Sequence, residues 1–318
     1  MKNILIFFNF LLCVTVYGQD YNALISKADG FYNTNAYAQS VEAYKEAFKI
    51  EQKRPSDLYN AACAAALAGE KSIAFEWLEM SIEYGWTNIA HLKSDTDLTS
   101  LHELKEWGML IDKLQKKLDI IEKDYDKPLQ AELLQVYEED QKYRMQLNET
   151  EEKYGRGSKE IQDLWSVIVE KDSINLIKVK SILDKYGWVG TDKVGGTANQ
   201  ALFLVIQHSD LATQEKYLPM MREAVQNKKA SGSSLALLED RVALREGKKQ
   251  IYGSQIGRDN DTGKYFVSPL EDPDNVDKRR AAVGLQPLAD YVQRWGIVWD
   301  VEGYKKEMEQ KGKAVKKD

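Results

Sequence analysis

Apolar and small residues recur over the first hundred positions at spacings that suit helices packed in antiparallel pairs. Leu24, Ala28, Phe31, Tyr37, Tyr44 and Ala47 form one set. Leu58, Ala62, Ala65, Gly69, Ala74, Leu78 and Ser81 take matching places about one repeat later. Large residues fill the gap between helices, while alanine and glycine let helix axes approach closely. Asp57 is placed to cap the second pair, and Gly69 suits the turn within it.

These spacings resemble the tetratricopeptide repeat, an α-solenoid of stacked helix pairs, although the tryptophan and Leu-Gly positions usual in that family are substituted. The resemblance implies one superhelix from Tyr21 to about Leu118, with a longer connection through Lys53, Arg54, Pro55, Ser56 and Asp57. The stretch from Gly85 to Leu110, carrying Leu92, Leu98, Leu101 and Trp107, reads as a partial pair that covers the last apolar face. His91 and His102 fall there. Neither shows a second ligand at metal spacing, so both read as surface or capping residues.

Beyond Leu110 the helical period continues through Leu114, Leu118, Ile121, Leu133, Leu134 and Tyr137. Pro128 interrupts it, closing one helix and opening another. Further helices are predicted over Lys159–Glu170, Ile174–Tyr186, Thr197–Gln207, Thr213–Lys228, Leu235–Glu246, Val276–Val283 and Leu288–Trp295. Between them, Gln250–Ile256 and Lys264–Val267 read as two short strands around the turn-rich Asp259–Gly263. The lysine-rich tail after Gly303 reads as frayed. The fold class is therefore mainly α: a tetratricopeptide-like solenoid, then a helical domain with a small β-hairpin. The expected domains are a signal peptide (1–18), the repeat (19–124), the second domain (125–303) and the tail (304–318).

Charge and targeting narrow the function. The net charge of -6, spread in both signs, argues against non-specific nucleic-acid binding, which needs a basic surface to displace counterions. Lys2 followed by an apolar run from Ile4 to Val16 has signal-peptide form, with the cut expected between Gly18 and Gln19. Leu12 precedes Cys13 where lipidation wants a small residue, so no lipid anchor is expected. No later run is long enough to span a bilayer, so the mature protein is expected to lack a membrane span. Its single remaining cysteine, Cys63, has no intramolecular disulfide partner and reads as a small buried hydrophobe.

Four stretches of the second half carry chemistry: Tyr186–Gly190, Leu204–Asp210 with Gln214 and Leu218-Pro219, Leu238–Arg241, and Gln250–Gln255. A fifth runs from Leu270 to Pro273, on through Asp277–Arg280, to Gly284–Leu288. Together, in this order from Pro128 to Gly296, they resemble a bacterial family known as domain of unknown function 6624. The resemblance implies a domain boundary and no reaction.

The residues themselves suggest a polar site. His208 closes a helix with an apolar face, which sets its imidazole near the core edge at a helix C-terminus. Asp210 is placed to cap the next helix. Asp240 and Arg241 stand among Leu237, Leu238, Val242 and Leu244 and need partners there. Read as a catalytic group, His208 is a general base, Asp240 orients it, and Arg241 or Arg280 clamps an anion. Gln214, Gln250, Tyr252, Gln255, Arg279 and Arg280 complete the candidate ligand-binding set, with Gln250 and Tyr252 on one strand face. The same residues would equally form a buried polar network that fixes how helices meet the hairpin.

Nucleophile elbows, His-Glu-x-x-His, phosphate loops and Cys-x-x-Cys are missing, so no cofactor or metal is expected. Asp259, Asn260 and Asp261 lack the in-register glutamate of an EF-hand. The leading expectation is a periplasmic or extracellular interaction protein that presents its repeat surface to a protein or peptide partner. The alternative is an envelope enzyme, hydrolase-like, with a His/Asp/Arg site.

Overall fold

A computed structural model describes residues 9–50, 54–259 and 262–314, with side chains for 21–50, 54–259 and 262–309. The expected signal peptide and its cut site lie outside the residues whose side chains are described, as do Asn260 and Asp261 of the turn. Among the described residues the fold is mainly α, with one two-stranded antiparallel sheet. The chain divides into two compact units, Met1–Lys123 and Asp124–Asp318.

The first unit contains α1 (Asn9–Asn33), α2 (Tyr37–Phe48), α3 (Pro55–Leu67), α4 (Lys71–Tyr84), α5 (Ile89–Ser94), a 3-10 turn (Thr96–Leu101) and α6 (Lys105–Ile121). Each helix packs on its sequence neighbour from α1 to α4, and α6 packs on α4. The turns within the two pairs have one geometry. Asn35 and Gly69, 34 residues apart, both take positive φ, at 59° and 81°. Ala36 (φ −87°, ψ 58°) and Glu70 (φ −85°, ψ 61°) then start α2 and α4. Ala36 N–H donates to Phe31 at 2.9 Å and Glu70 N–H to Ala65 at 2.8 Å. The alanines of the sequence pattern are buried where axes approach, among them Ala28 and Ala62, with Tyr44, Leu58 and Leu78 filling the gaps.

Asp57 does not cap α3. The helix starts one turn earlier, at Pro55, whose fixed φ suits a first helical position. The Asp57 carboxylate instead accepts the Tyr21 hydroxyl at 2.9 Å.

The second unit contains α7 (Lys127–Arg144), α8 (Leu147–Tyr154), α9 (Lys159–Tyr186), α10 (Thr191–Val194), α11 (Gly196–His208), α12 (Leu211–Gln226) and α13 (Gly232–Arg245). Strands β1 (Ile256–Arg258) and β2 (Tyr265–Val267) follow, then α14 (Val276–Ala282), α15 (Leu288–Val292) and α16 (Val301–Ala314). Helix α11 is central: it packs on α7, α9, α12 and α13. Its apolar residues Ala201, Leu202, Val205 and Ile206 share a core with Leu133 and Val136 of α7 and Val179 and Leu183 of α9.

Three expectations are corrected. The helices predicted over Lys159–Glu170 and Ile174–Tyr186 are one element, α9, since nothing between them breaks a helix. The tail beyond Gly303 is helical as far as Ala314. The stretch from Gln250 to Gln255 is a loop with a single bridge, Gln250 to Leu270, and the strand starts only at Ile256. In the hairpin, Gly257 faces Phe266. A Cβ there would stand 2.5 Å from the tip of the Phe266 ring, so any larger residue would force that ring to move. No helix among the described residues is long and apolar enough to cross a membrane.

Candidate functional site

Two polar centres emerge where one was expected. The first surrounds Asp240, which is fully buried on α13 between Leu238 and Val242. Its carboxylate accepts backbone N–H groups from Ile251 at 2.6 Å, Tyr252 at 2.9 Å and Ser254 at 2.9 Å. Burial pushes this carboxyl above its usual range, and the three backbone donors offset part of that rise. The loop from Gln250 to Gln255 is thus wrapped around one anionic side chain.

The neighbouring candidates hold the same loop. Gln250, also fully buried, donates to the carbonyls of Gln255 and Ser268 and accepts Gln255 N–H at 2.8 Å. Arg241 donates to the Gln255 side chain at 3.1 Å and to the Gln207 carbonyl at 3.0 Å. Gln214 donates to that same carbonyl at 2.8 Å. Arg280 donates to the carbonyls of Tyr252 and Gln286 and lies over the Tyr291 ring, whose hydroxyl donates to Ser254. Arg279 donates to the carbonyls of Ile251, Glu271 and Asp272. Tyr252 turns its hydroxyl to Glu239, so Gln250 and Tyr252 do not share a strand face. Burial lowers both the Arg241 and Arg280 guanidinium pKa values.

The second centre contains His208, and Asp240 does not orient it. His208 Nδ1 lies 2.9 Å from Oδ1 of Asp140, a fully buried residue of α7. Arg144, one helical turn on, pairs with Asp140 at 3.2 Å and with Asp172 of α9 at 2.6 Å. Gln141 donates to the other Asp140 oxygen at 2.7 Å. Burial alone would raise the Asp140 carboxyl, but the His208 and Arg144 contacts overcome it and hold the group below its usual range. The network therefore joins three helices, α7 to α11 through the Asp140 carboxylate and α7 to α9 through Arg144. Asp210 does cap the following helix, accepting Thr213 N–H at 2.7 Å.

His208 also lines a cleft of about 240 Å³ with Val169, Asp172, Ser173, Leu176, Val205 and Ser209. No hydrogen bond engages its Nε2 among the described residues. Oδ1 of Asp172 and both polar atoms of the fully buried Asn175 also lack partners. The donor atoms of Asp140, Asp172 and His208 lie within 4.8 Å of one another, but the Arg144 guanidinium already bridges the two carboxylates. In the first unit, Cys63, Asp95 and Asp97 bring donor atoms equally close.

Asp140 was absent from the sequence-derived set, yet a signal for it exists. Leu129, Leu133, Val136 and Asp140 follow the i, i+4, i+7, i+11 spacing of one helix face, and all four are buried. An acidic residue on an apolar stripe needs a buried partner.

Residues 127–305, more than half of the chain, match a family of unknown function (DUF6624), and the chain belongs to this family. No curated protein matches the chain, and no solved structure does.

Proposed function

We propose that this is an exported interaction protein whose first unit is a tetratricopeptide-like array that receives a protein or peptide partner, in the periplasm or outside the cell. The observation that carries the reading is the recurrence of one turn geometry at Asn35 and Gly69, 34 residues apart, the period of that repeat. Stacked repeats offer an extended surface on which a chain can lie. A groove of about 420 Å³ on the first pair supports this, with Leu24 and Phe31 as apolar anchors and Lys27, Glu42 and Glu46 at its edges. The positively charged start and apolar run to Val16 support export.

The test is peptide selection on the mature chain. Selected peptides should compete for one surface and lose binding on Phe31→Ala or Glu42→Lys. A chain that selects none, or binding indifferent to both changes, sinks the reading.

One observation favours a second reading, an envelope enzyme of hydrolase type. With Asp140 on Nδ1, His208 is held in one orientation and its Nε2 is free to take a proton from a water in the adjoining cleft. Loss of hydrolysis in His208→Asn at unchanged Tm would favour this reading over the first.

A further inference from the structure

Two helices of the second unit begin on one cavity of about 570 Å³, α11 at Gly196 and α13 at Gly232. The first N–H groups of a helix have no partner within it and form its positive end. Those of Gly196 and Thr197 in α11, and of Gly232 and Ser233 in α13, find no other partner among the described residues.

A buried side chain shows what else the cavity lacks. Asn199 is 6% exposed, lies in the first turn of α11 and lines the cavity. Its amide nitrogen donates to the carbonyls of Val189 at 2.6 Å and Lys229 at 2.9 Å. Both of its protons are thus used, and the two carbonyls fix which way the amide faces. Its oxygen Oδ1 accepts no hydrogen bond among the described residues. A buried carbonyl oxygen without a donor is costly, and an O–H or N–H from a ligand removes that cost.

The charge around the cavity has one sign. No aspartate or glutamate lines it, and Lys228, which does, forms no ion pair among the described residues. The hydroxyls of Thr197 and Ser234 are also without partners there, whereas Ser231 and Ser233 bond each other at 2.7 Å. Phe203 and Met221, both buried, supply an apolar side. A cation finds no counter-charge in such a cavity, and a purely apolar ligand leaves the N–H groups and Asn199 unpaired.

We infer that this cavity binds a small hydroxylated anion, either a phosphate ester or a hydroxy acid. The anionic oxygens lie against the two helix starts and Lys228, and the hydroxyl donates to Asn199 Oδ1. A hydroxyl suits Asn199 better than an ammonium, because the helix starts and Lys228 repel a second positive charge. The site uses neither His208 nor Asp140 and is separate from the groove on the first helix pair.

Calorimetry on the full chain tests the site with glycerol 3-phosphate and lactate, each beside a partner that lacks the hydroxyls, propyl phosphate and propionate. At least one hydroxylated probe should bind one to one at millimolar concentration, and the tighter of the two identifies the anion as phosphate or carboxylate. Its partner should bind at least about tenfold more weakly, the worth of one hydrogen bond to a buried acceptor. Thr197→Glu sets a carboxylate at an exposed position in the first turn of α11, where it suits the helix dipole. That variant should keep its Tm and lose binding. An unaltered chain that binds neither hydroxylated probe overturns the inference, as does equal binding within each matched pair or binding that survives Thr197→Glu. The unaltered protein decides the first two outcomes, whether or not the variant folds.

Discussion

Asp140 and His208 meet at 2.9 Å across 68 residues of sequence, and their pairing joins the helix that opens the second unit to its central helix. Asp140 has two further partners, Arg144 and Gln141, whereas no second hydrogen bond to the His208 ring is found among the described residues. The two residues therefore differ in how much rests on them.

Replacing Asp140 with alanine leaves His208 and Arg144 without their shared carboxylate and should cost about 3–5 kcal/mol, as for other broken buried ion pairs. Replacing His208 with alanine should cost only about 1–3 kcal/mol, because Arg144 and Gln141 still serve Asp140. Urea unfolding of the two variants measures the ranking. Equal losses would refute the shared-carboxylate account.

Acid should unfold the protein partly through the same residue. The folded state binds a proton at Asp140 less readily than the unfolded chain does. Its contribution is therefore present above the ordinary carboxylate pKa of about 3.9 and disappears as pH falls through the lower folded value. Asp140→Asn should flatten the acid limb of a stability–pH curve. Asp240 has the opposite sign: its raised folded pKa favours the folded state at low pH, and that advantage is lost as pH rises through the folded value.

Asp240→Ala should release the loop it organises. Three backbone N–H groups lose their acceptor, a penalty of about 3 kcal/mol or more if none finds another. Hydrogen exchange should show the amides of Ile251, Tyr252 and Ser254 losing protection before the rest of α13 does. Unchanged protection there would mean the loop is held by its other partners, Gln250, Arg241, Arg279, Arg280 and Tyr291.

The repeated turn makes its own prediction. Gly69→Ala forces an L side chain into positive φ and should destabilise the first unit by about 1–2 kcal/mol. Asn35→Gly should be neutral or slightly stabilising, because the backbone there already has the geometry glycine prefers. Thermal melts of both variants compare the two turns directly.

In the hairpin, Gly257→Ala should cost about 1–3 kcal/mol by driving a methyl group into the Phe266 ring. Adding Phe266→Ala should recover part of the loss. A double variant no more stable than Gly257→Ala would place the strain in the backbone.

Periodicity alone determined that the chain is helical, where the paired helices turn at Gly69, and that residues such as Ala28, Ala62, Leu133 and Leu202 face a core. Such features depend on neighbours three or four positions away, and those neighbours are written next to each other in the chain. The family's span was legible for the same reason, through short motifs in fixed order. The partners of buried charge were not. Asp240 was visible as a carboxylate in need of donors, but those donors are the backbone of Ile251, Tyr252 and Ser254, and a main-chain N–H leaves no mark in a sequence. His208 was visible as a candidate base, yet its carboxylate comes from Asp140, brought beside it only when α7 packs on α11. Cys63 likewise meets Asp95 only through the docking of α3 against the 3-10 turn. Local spacing set the elements and their apolar faces; helix packing chose which distant polar groups came within hydrogen-bond reach.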